Sequence, residues 1–115
     1  MVLPMTTSNL DLEQMRSSAG EAARLLKALA NEHRLLVLCD LLEGERSVGQ
    51  LNAELDLSQS ALSQHLAVLR EDALVATRRE SQTIYYRVAS EAVTAVLSAL
   101  HGIYCVPRRG KAGGG

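Results

Sequence analysis

The spacing of apolar residues along the chain predicts a mainly helical protein. Residues 19–30 place apolar side chains at the i, i+3, i+4, i+7 spacing of an amphipathic helix. These apolar positions are Ala22, Leu25, Leu26 and Leu29. Residues 35–42 are apolar almost all round, which indicates a helix buried on every side. Asn31 can cap the start of this second helix and Gly44 can end it, so it is expected to form the centre of the core.

A helix-turn-helix pattern follows the central helix. Ser47 and Gln50 stand three residues apart, as in a capping box, and predict a short helix that ends near residues 56–58. Ser58 can cap the next helix, which has one apolar and one polar face. The apolar face consists of Leu62, Leu66 and Leu69, and the polar face of Gln59, Ser60, Ser63, Gln64 and His65. A short helix, a tight turn and a second helix with a hydrogen-bonding outer face are typical of DNA-binding proteins.

An alternating pattern predicts a β-hairpin directly after these helices. Residues 74–79 and 82–88 are expected to form two strands around Glu80 and Ser81. One face of the second strand is expected to pack against the core while the other is solvated. The packing residues are Ile84, Tyr86 and Val88, and the solvated residues are Thr83, Tyr85 and Arg87.

A last helix, capped by Ser90, completes the predicted domain. The fold class is mainly α with a β-hairpin wing, a winged helix-turn-helix in the order ααααββα. One DNA-binding and dimerisation domain is expected over residues 11–105, because 115 residues is a usual length for a single domain. Residues 1–10 are expected to be a flexible N-terminal tail, and residues 106–115 a disordered C-terminal tail.

Composition narrows the functions that this fold can serve. Aromatic residues make up 3% of the chain, three Tyr with no Phe or Trp, so the core must consist of Leu, Val and Ala. This scarcity argues against proteins that bind single-stranded nucleic acid by stacking bases on aromatic rings. Two cysteines cannot form a disulfide framework, and the chain shows neither a signal sequence nor an apolar run of the ~20 residues that a membrane span needs. We therefore expect a cytoplasmic protein that does not bind a membrane.

The net charge of −1 hides an uneven distribution of charged residues. Residues 1–57 carry five basic and nine acidic groups, residues 58–88 carry four and three, and residues 89–115 carry three and one. A strongly polybasic nucleic-acid binder is excluded. The mildly basic C-terminal half nevertheless contains the second helix of the helix-turn-helix and the hairpin.

The polar helix and the hairpin are candidates for contacts with double-stranded DNA. An α-helix fits the major groove, where polar side chains reach base edges and phosphates. The candidate residues on the helix are Ser58, Gln59, Ser60, Ser63, Gln64 and His65. The hairpin tip would meet the phosphate backbone or the minor groove. Its candidate residues are Arg78, Arg79, Gln82 and Thr83. The alternative is a winged-helix module that mediates contacts with proteins instead of DNA.

A module of this size is expected to bind DNA as a homodimer. One module covers only ~600–1,000 Å² of protein surface, which is too little to select one genomic site. A two-fold dimer places two recognition helices ~34 Å apart on an inverted repeat. The apolar stripes of the first and last helices are the candidate dimer interface; the alternative is that these stripes only cover the small core.

The chain resembles the ArsR/SmtB family of bacterial winged-helix repressors over about residues 20–105. The most specific segments are LKALANEHRL, SQSALSQHLAVLRE and RRESQTIYYRV. The first leads into the central helix, the second covers the predicted recognition helix and the third covers the wing. The resemblance implies a homodimer that binds operator DNA and is released from it by an inducer.

The metals that induce many members of this family have no matching site in the sequence. The family's Cys-x-Cys pattern would fall within residues 48–57, VGQLNAELDL, which contain no Cys. Its site on the last helix needs Asp and His at ligand spacing, whereas SEAVTAVLSALHGIYC contains His101 alone. His33 and His65 are also isolated in sequence, and zinc takes four N, S or O ligands. We expect no bound metal, and a metal-responsive repressor is kept as an alternative.

The two cysteines resemble those of a thiol-switch subgroup of the family, the persulfide-responsive BigR/SqrR-type and HlyU-type regulators. Cys39 lies in LVLCDLLEGE and Cys105 in LHGIYC. The resemblance implies that the pair joins through a disulfide or polysulfide bridge that weakens DNA binding, and that the inducer is a reactive sulfur species or an oxidant. Cys105, near a helix end, should be the more accessible thiol, and Cys39, among leucines, the more buried. The alternative is an inert pair, since a free Cys behaves as a small hydrophobe.

Enzyme motifs are lacking in the sequence. It has no Cys-x-x-Cys, no nucleophile elbow and no Gly-rich phosphate loop. Ser60, Ser63 and His65 lie within one outward-facing helix with no predicted substrate pocket. We therefore expect a transcription regulator with neither catalytic residues nor a cofactor.

Overall fold

The computed structural model describes residues 8–105 of the chain, with side chains from residue 12 onward. This part contains five helices and three short strands. In chain order the elements are α1 (Ser8–Leu29), α2 (Glu32–Leu42), β1 (Arg46–Ser47), α3 (Val48–Glu54), α4 (Gln59–Glu71), β2 (Val75–Glu80), β3 (Thr83–Val88) and α5 (Glu91–Tyr104). This order confirms the predicted winged helix-turn-helix and adds one strand to it.

The added strand, β1, attaches the hairpin to the helices. β1 pairs antiparallel with β3, which gives a three-stranded sheet in the order β1-β3-β2. Arg46 lies opposite Tyr86, and Ser47 lies opposite Tyr85. Two residues are too few to show an alternating pattern, so the sequence did not reveal this strand. Because Ser47 also caps α3, the sheet and the helix-turn-helix meet at one residue.

The hairpin turn lies one residue later than predicted. Glu80 pairs with Thr83, so Ser81 and Gln82 form a two-residue turn. Ser81 has a φ of 59°, in the left-handed region that a tight hairpin turn requires at its first position. Both turn residues are exposed, and they form the tip of the wing.

Side-chain caps define the starts of four helices, as the sequence predicted. The capping residues are Asn31, Ser47, Ser58 and Ser90, and each accepts a backbone N–H two or three residues further on. Ser47 and Gln50 form the full capping box, with hydrogen bonds of 3.1 Å and 2.8 Å. Gly44, with a φ of 148°, follows the end of α2 in a conformation that other residues rarely adopt. A cap contributes ~1 kcal/mol, so these boundaries are specified locally.

The core consists mainly of leucine and valine side chains. Its fully buried members are Leu38, Leu51, Leu62, Leu66, Leu69, Leu97, Val37 and Val93. The predicted apolar face of α4 is therefore buried. The central helix α2 is two-sided instead of buried all round, because Leu38 is fully buried whereas Leu36 is 48% exposed. The outer face of α2 is thus open to contacts with other elements.

The predicted tails lie mostly outside the described residues. Helix α1 begins at Ser8, so residues 8–10 of the predicted N-terminal tail are helical, and residues 1–7 lie outside the described part. The predicted tail over residues 106–115 also lies outside it. None of the helices within residues 8–105 is long and apolar enough to cross a membrane.

We expect Leu38→Ala to lower the free energy of unfolding by about 2–5 kcal/mol, because it opens a cavity at the centre of the core. Leu36→Ala makes the same change on the exposed face of the same helix and should cost less than about 1 kcal/mol. Urea denaturation followed by circular dichroism, at one fixed protein concentration, measures both values. Equal losses in the two variants would contradict the assignment of the two faces of α2.

Candidate DNA-binding surface and cysteine pair

The outer face of α4 carries an exposed row of polar side chains. Burial of three leucines on the inner face turns this row outward. Its members are Gln59, Ser60, Ser63 and Gln64. Their amide and hydroxyl groups can both donate and accept hydrogen bonds at base edges. Ser58 lies just before the row, where its side-chain oxygen accepts the backbone N–H of Ala61 at 3.1 Å and caps the helix.

Contacts at both ends hold α4 in one orientation. Before it, the side-chain amide of Asn52 on α3 donates to the backbone carbonyl of Leu57 in the turn at 2.8 Å. After its last turn, Asp72 accepts from Arg24 of α1, with Nη2 2.7 Å from Oδ1. The polar row is therefore presented by a helix that its neighbours position, which is what precise recognition requires.

His65 lies at the edge of α4 and faces α2 instead of joining the exposed row. It is half-buried, and its ring centroid lies 5.7 Å from that of His33. Arg34 Nη1 lies 3.4 Å from His65 Nδ1. Burial lowers the pKa of His65, and the positive charges of Arg34 and His33 lower it further. The sequence places His65 on the DNA-facing surface, whereas the structure uses this side chain to dock α4 on α2.

All four predicted wing residues are exposed. Three of them, Arg79, Gln82 and Thr83, lie at the hairpin tip. Arg79 supplies a positive charge where a wing meets the phosphate backbone, and the other two supply hydrogen-bonding groups. These residues can fix the register of the protein on DNA without reading its sequence.

The fourth wing residue, Arg78, is engaged within the protein. Its guanidinium lies 2.9 Å from a carboxylate oxygen of Glu45 and 2.9 Å from one of Glu80. It also stacks over the Tyr85 ring, with Cζ 4.6 Å from the centroid. The hydrogen bonds to Glu45 and Glu80 raise the pKa of Arg78, and the contact with Arg78 lowers the pKa of Glu45. Arg78 therefore anchors the wing to the loop before β1, and its charge is balanced by two carboxylates.

The cysteines lie where the outer face of α2 meets the C-terminal end of α5. Cys39 Sγ is 3.4 Å from Nε2 of His101. Cys105 follows one helical turn after His101, and its backbone N–H donates to the His101 carbonyl at 2.8 Å. Packing of α5 against α2 thus gathers two thiols and one imidazole that are far apart in sequence.

The two thiols have different surroundings. Both are free; Cys39 is half-buried and Cys105 is exposed, in the order that the sequence predicted. Burial raises the pKa of Cys39, and the negative charge that Cys105 can carry raises it further. Within residues 12–105, no group of three or more His, Cys, Asp or Glu is placed to hold a metal ion.

In the sequence, His101 is an isolated histidine. Its contact with Cys39 joins residues 62 positions apart, which only the packing of two helices brings together. One signal was present: His101 and Cys105 are four residues apart, so they share one face of a helix. Glu45 and Tyr85, which hold the wing arginine, have no comparable signal in the sequence.

The chain is similar to known bacterial transcription regulators. Residues 31–77 match the family model of the bacterial regulatory proteins of the arsR family. The transcriptional activator HlyU of Vibrio cholerae is 53% identical over 96 residues, which cover 84% of this chain and 89% of that protein. Among solved structures, reduced HlyU from Vibrio cholerae has a TM-score of 0.77 at 53% identity and covers 82% of this chain and 99% of its own. The transcriptional repressor BigR from Xylella fastidiosa has a TM-score of 0.78 at 41% identity and covers 89% and 99%.

The lowered pKa of His65 predicts a loss of stability on mild acidification. Below the ordinary histidine pKa of about 6.5, the unfolded chain takes up a proton that the folded protein resists. The free energy of unfolding should therefore fall as the pH drops from about 7.5 to about 5. In His65→Gln this part of the pH dependence should disappear. Urea titrations across this pH range test the difference, and parallel curves for the two proteins would contradict it.

Proposed function

The chain belongs to the arsR family of bacterial regulatory proteins, and from that premise we propose that it binds operator DNA as a homodimer under the control of Cys39 and Cys105. Regulators of this family bind operator DNA and usually act as dimers. The resemblance to HlyU that the sequence predicts is confirmed. The observation that carries the proposal is the exposed Ser/Gln row of α4 beside an arginine-bearing wing. Helix α4 is in turn docked against α2, the helix that holds Cys39. With this proposed function the protein would act in the cytoplasm, where the operator DNA lies.

In the proposed complex α4 enters the major groove and the wing contacts the backbone. Ser60 and Gln64 lie at the centre of the exposed row and can pair with base edges. Backbone N–H groups at the start of α4 favour a phosphate nearby. Arg79, Gln82 and Thr83 at the hairpin tip contact phosphates and set the register. The total charge of −1 is compatible with this arrangement, because contacts depend on the local charges of the surface that meets DNA.

Exposed apolar side chains on α1 and α5 support dimerisation through these two helices. They are Leu12, Met15 and Leu26 on α1 and Ile103 and Tyr104 on α5, each more than half exposed. The radius of gyration is 17.0 Å, larger than the ~13 Å expected of a compact domain of this length. Helices that extend from the core with apolar faces are suited to pack against a second copy. A two-fold dimer would place the two α4 helices ~34 Å apart, to match an inverted repeat.

The packing of α2 supports a link between the cysteines and DNA affinity. Helix α2 carries Cys39 on its outer face and contacts His65 of α4 through Arg34. A bridge from Cys39 to Cys105 would tie α2 to the end of α5, which belongs to the proposed dimer interface. Such a tie can alter the relative positions of the two α4 helices, and a typical coupling energy of ~1–3 kcal/mol would lower DNA affinity 5- to 150-fold. The inducer would be a reactive sulfur species or an oxidant.

The cysteine pair would control the affinity for DNA, whereas the direction of transcriptional control depends on where the operator lies. One relative, HlyU, is named an activator and another, BigR, a repressor. Both outputs can arise from one DNA-binding protein, because a bound regulator either blocks the polymerase or displaces a silencing protein. The same thiol chemistry would therefore serve either output.

Two substitutions separate base reading from phosphate contact. Gln64→Ala should weaken binding to the DNA upstream of the chain's own gene by about 1–3 kcal/mol and leave binding to random-sequence DNA unchanged. Arg79→Gln should weaken both, and should reduce the slope of log affinity against log salt by about 1 per protomer. Fluorescence anisotropy at several salt concentrations measures both effects.

The matched control for the charge change is Arg16→Gln, which removes one exposed positive charge from α1, outside the surface assigned to DNA. Its affinity and salt dependence should equal those of the unmodified protein. Salt-insensitive or absent DNA binding by the unmodified protein would contradict the proposal and favour a winged-helix module that contacts proteins.

Cys39→Ser and Cys105→Ser should each keep DNA binding and lose the response to polysulfide. The unmodified protein should lose affinity after treatment and regain it on reduction with dithiothreitol, because the bridge needs both thiols. Anisotropy before and after each treatment measures the response, and Cys39→Ser/Cys105→Ser provides the fully insensitive reference. A normal response in either single variant would rule out control by a bridge between the two.

A further inference from the structure

The contact between Cys39 and His101 goes beyond what a thiol bridge requires. A bridge needs only two sulfur atoms, yet the structure adds an imidazole nitrogen 3.4 Å from the Cys39 sulfur. In the tautomer that carries its proton on Nδ1, His101 Nε2 accepts a hydrogen bond from the Cys39 thiol. A base at hydrogen-bond distance from the proton it removes has the geometry of general base catalysis.

The different exposures of the two thiols suggest an order of reaction. Cys105 is exposed at the end of α5, so a reactant from solvent reaches this sulfur first. Cys39 is half-buried, and its raised pKa leaves little thiolate at neutral pH. Because the thiolate is the attacking species, Cys39 reacts slowly unless a neighbouring group removes its proton.

His101 is the group best placed to remove that proton. From α5, the titratable groups that face the Cys39 sulfur are His101 and Cys105. On α2 itself, Asp40 accepts a hydrogen bond from Arg46 at 3.3 Å, and Glu43 lies one turn further on and is exposed. Cys105 cannot serve as the base in the second step, because its sulfur is then bonded to the reactant.

We infer that His101 is the base for the bridge-closing step at Cys39, an inference that rests on the proposed control by the cysteine pair. The Cys105 thiolate attacks the central sulfur of an organic trisulfide R–S–S–S–R, which forms Cys105 Sγ–S–S–R and releases R–S⁻. Cys39 Sγ then attacks the sulfur bonded to Cys105 Sγ, its proton passes to His101 Nε2, and a second R–S⁻ leaves. The leaving thiolates take up the two thiol protons. The products are a trisulfide bridge and two R–SH, so two protein thiols are oxidised and the trisulfide is reduced.

The time course of this reaction tests the role of His101. Reduced full-length protein is mixed with one molar equivalent of glutathione trisulfide, quenched with iodoacetamide and weighed intact, which separates the glutathione adduct from the closed bridge. His101→Gln should form the adduct at the unmodified rate and close the bridge more slowly at pH 7, by a factor on the order of 100. The deficit should shrink as the pH rises from 7 to about 9.5, because a larger fraction of Cys39 then ionises without a base.

Matched variants distinguish proton transfer from a structural effect. His101 is exposed, so His101→Gln should fold normally, and His101→Asn provides a second variant with the same expected result. His33→Gln makes the same change elsewhere on the protein and should close the bridge at the unmodified rate. Cys39→Ser should form the adduct normally and stop there, whereas Cys105→Ser should react slowly.

Three results would overturn the inference. The first is closure at the unmodified rate in His101→Gln. The second is a deficit of equal size at pH 7 and at pH 9.5, which a purely structural role would produce. The third is loss of the adduct in Cys39→Ser, which would make Cys39 the first nucleophile.

DNA binding, measured separately by fluorescence anisotropy, distinguishes this inference from the function on which it rests. A bridge that closes through His101 but leaves DNA affinity unchanged would contradict the proposed regulation and support the role of His101. A bridge that closes equally fast in His101→Gln and still releases DNA would contradict the role of His101 alone.

Discussion

Burial of one face of α2 is the interaction on which the rest of the structure depends. The buried residues of this helix are Val37, Leu38 and Leu41. Each buried side chain of this size contributes about 1.5–3 kcal/mol, more than any single polar contact on the opposite face. The apolar face therefore sets the rotation of α2 about its axis. That rotation directs Cys39 towards α5 and brings Arg34 to His65 on α4.

A helix with one buried and one open face suits a protein that is proposed to sense and to bind. The open face of α2 carries Cys39, so a reactant from solvent can reach this thiol without a cavity in the core. The contact between Arg34 and His65 joins α2, which carries Cys39, directly to α4, the proposed recognition helix. A shift of α2 relative to α5 would therefore move α4 through their direct contact, without any unfolding of the domain.

The wing shows why the total charge of a chain is a poor guide to the local charge of one surface. Two arginines are adjacent in sequence, but a strand turns their side chains to opposite faces. Arg78 lies between Glu45 and Glu80, so its charge is balanced within the protein. Arg79 is exposed on the other face, where the charge can meet a phosphate. The sequence predicts both arginines as DNA contacts, and it contains no signal that Arg78 faces the loop before β1.

The helices, their caps and the wing could be predicted from the sequence, because they follow from interactions between residues a few positions apart. Leucines at helical spacing predicted the buried face of α4, and Ser58 predicted its start. Three features could not be predicted from the sequence: strand β1, the pairing of Arg78 with Glu45 and the approach of His101 to Cys39. These features depend on which faces of distant elements pack together. The packing that buries the most apolar surface is favoured, and it sets the positions of the polar side chains.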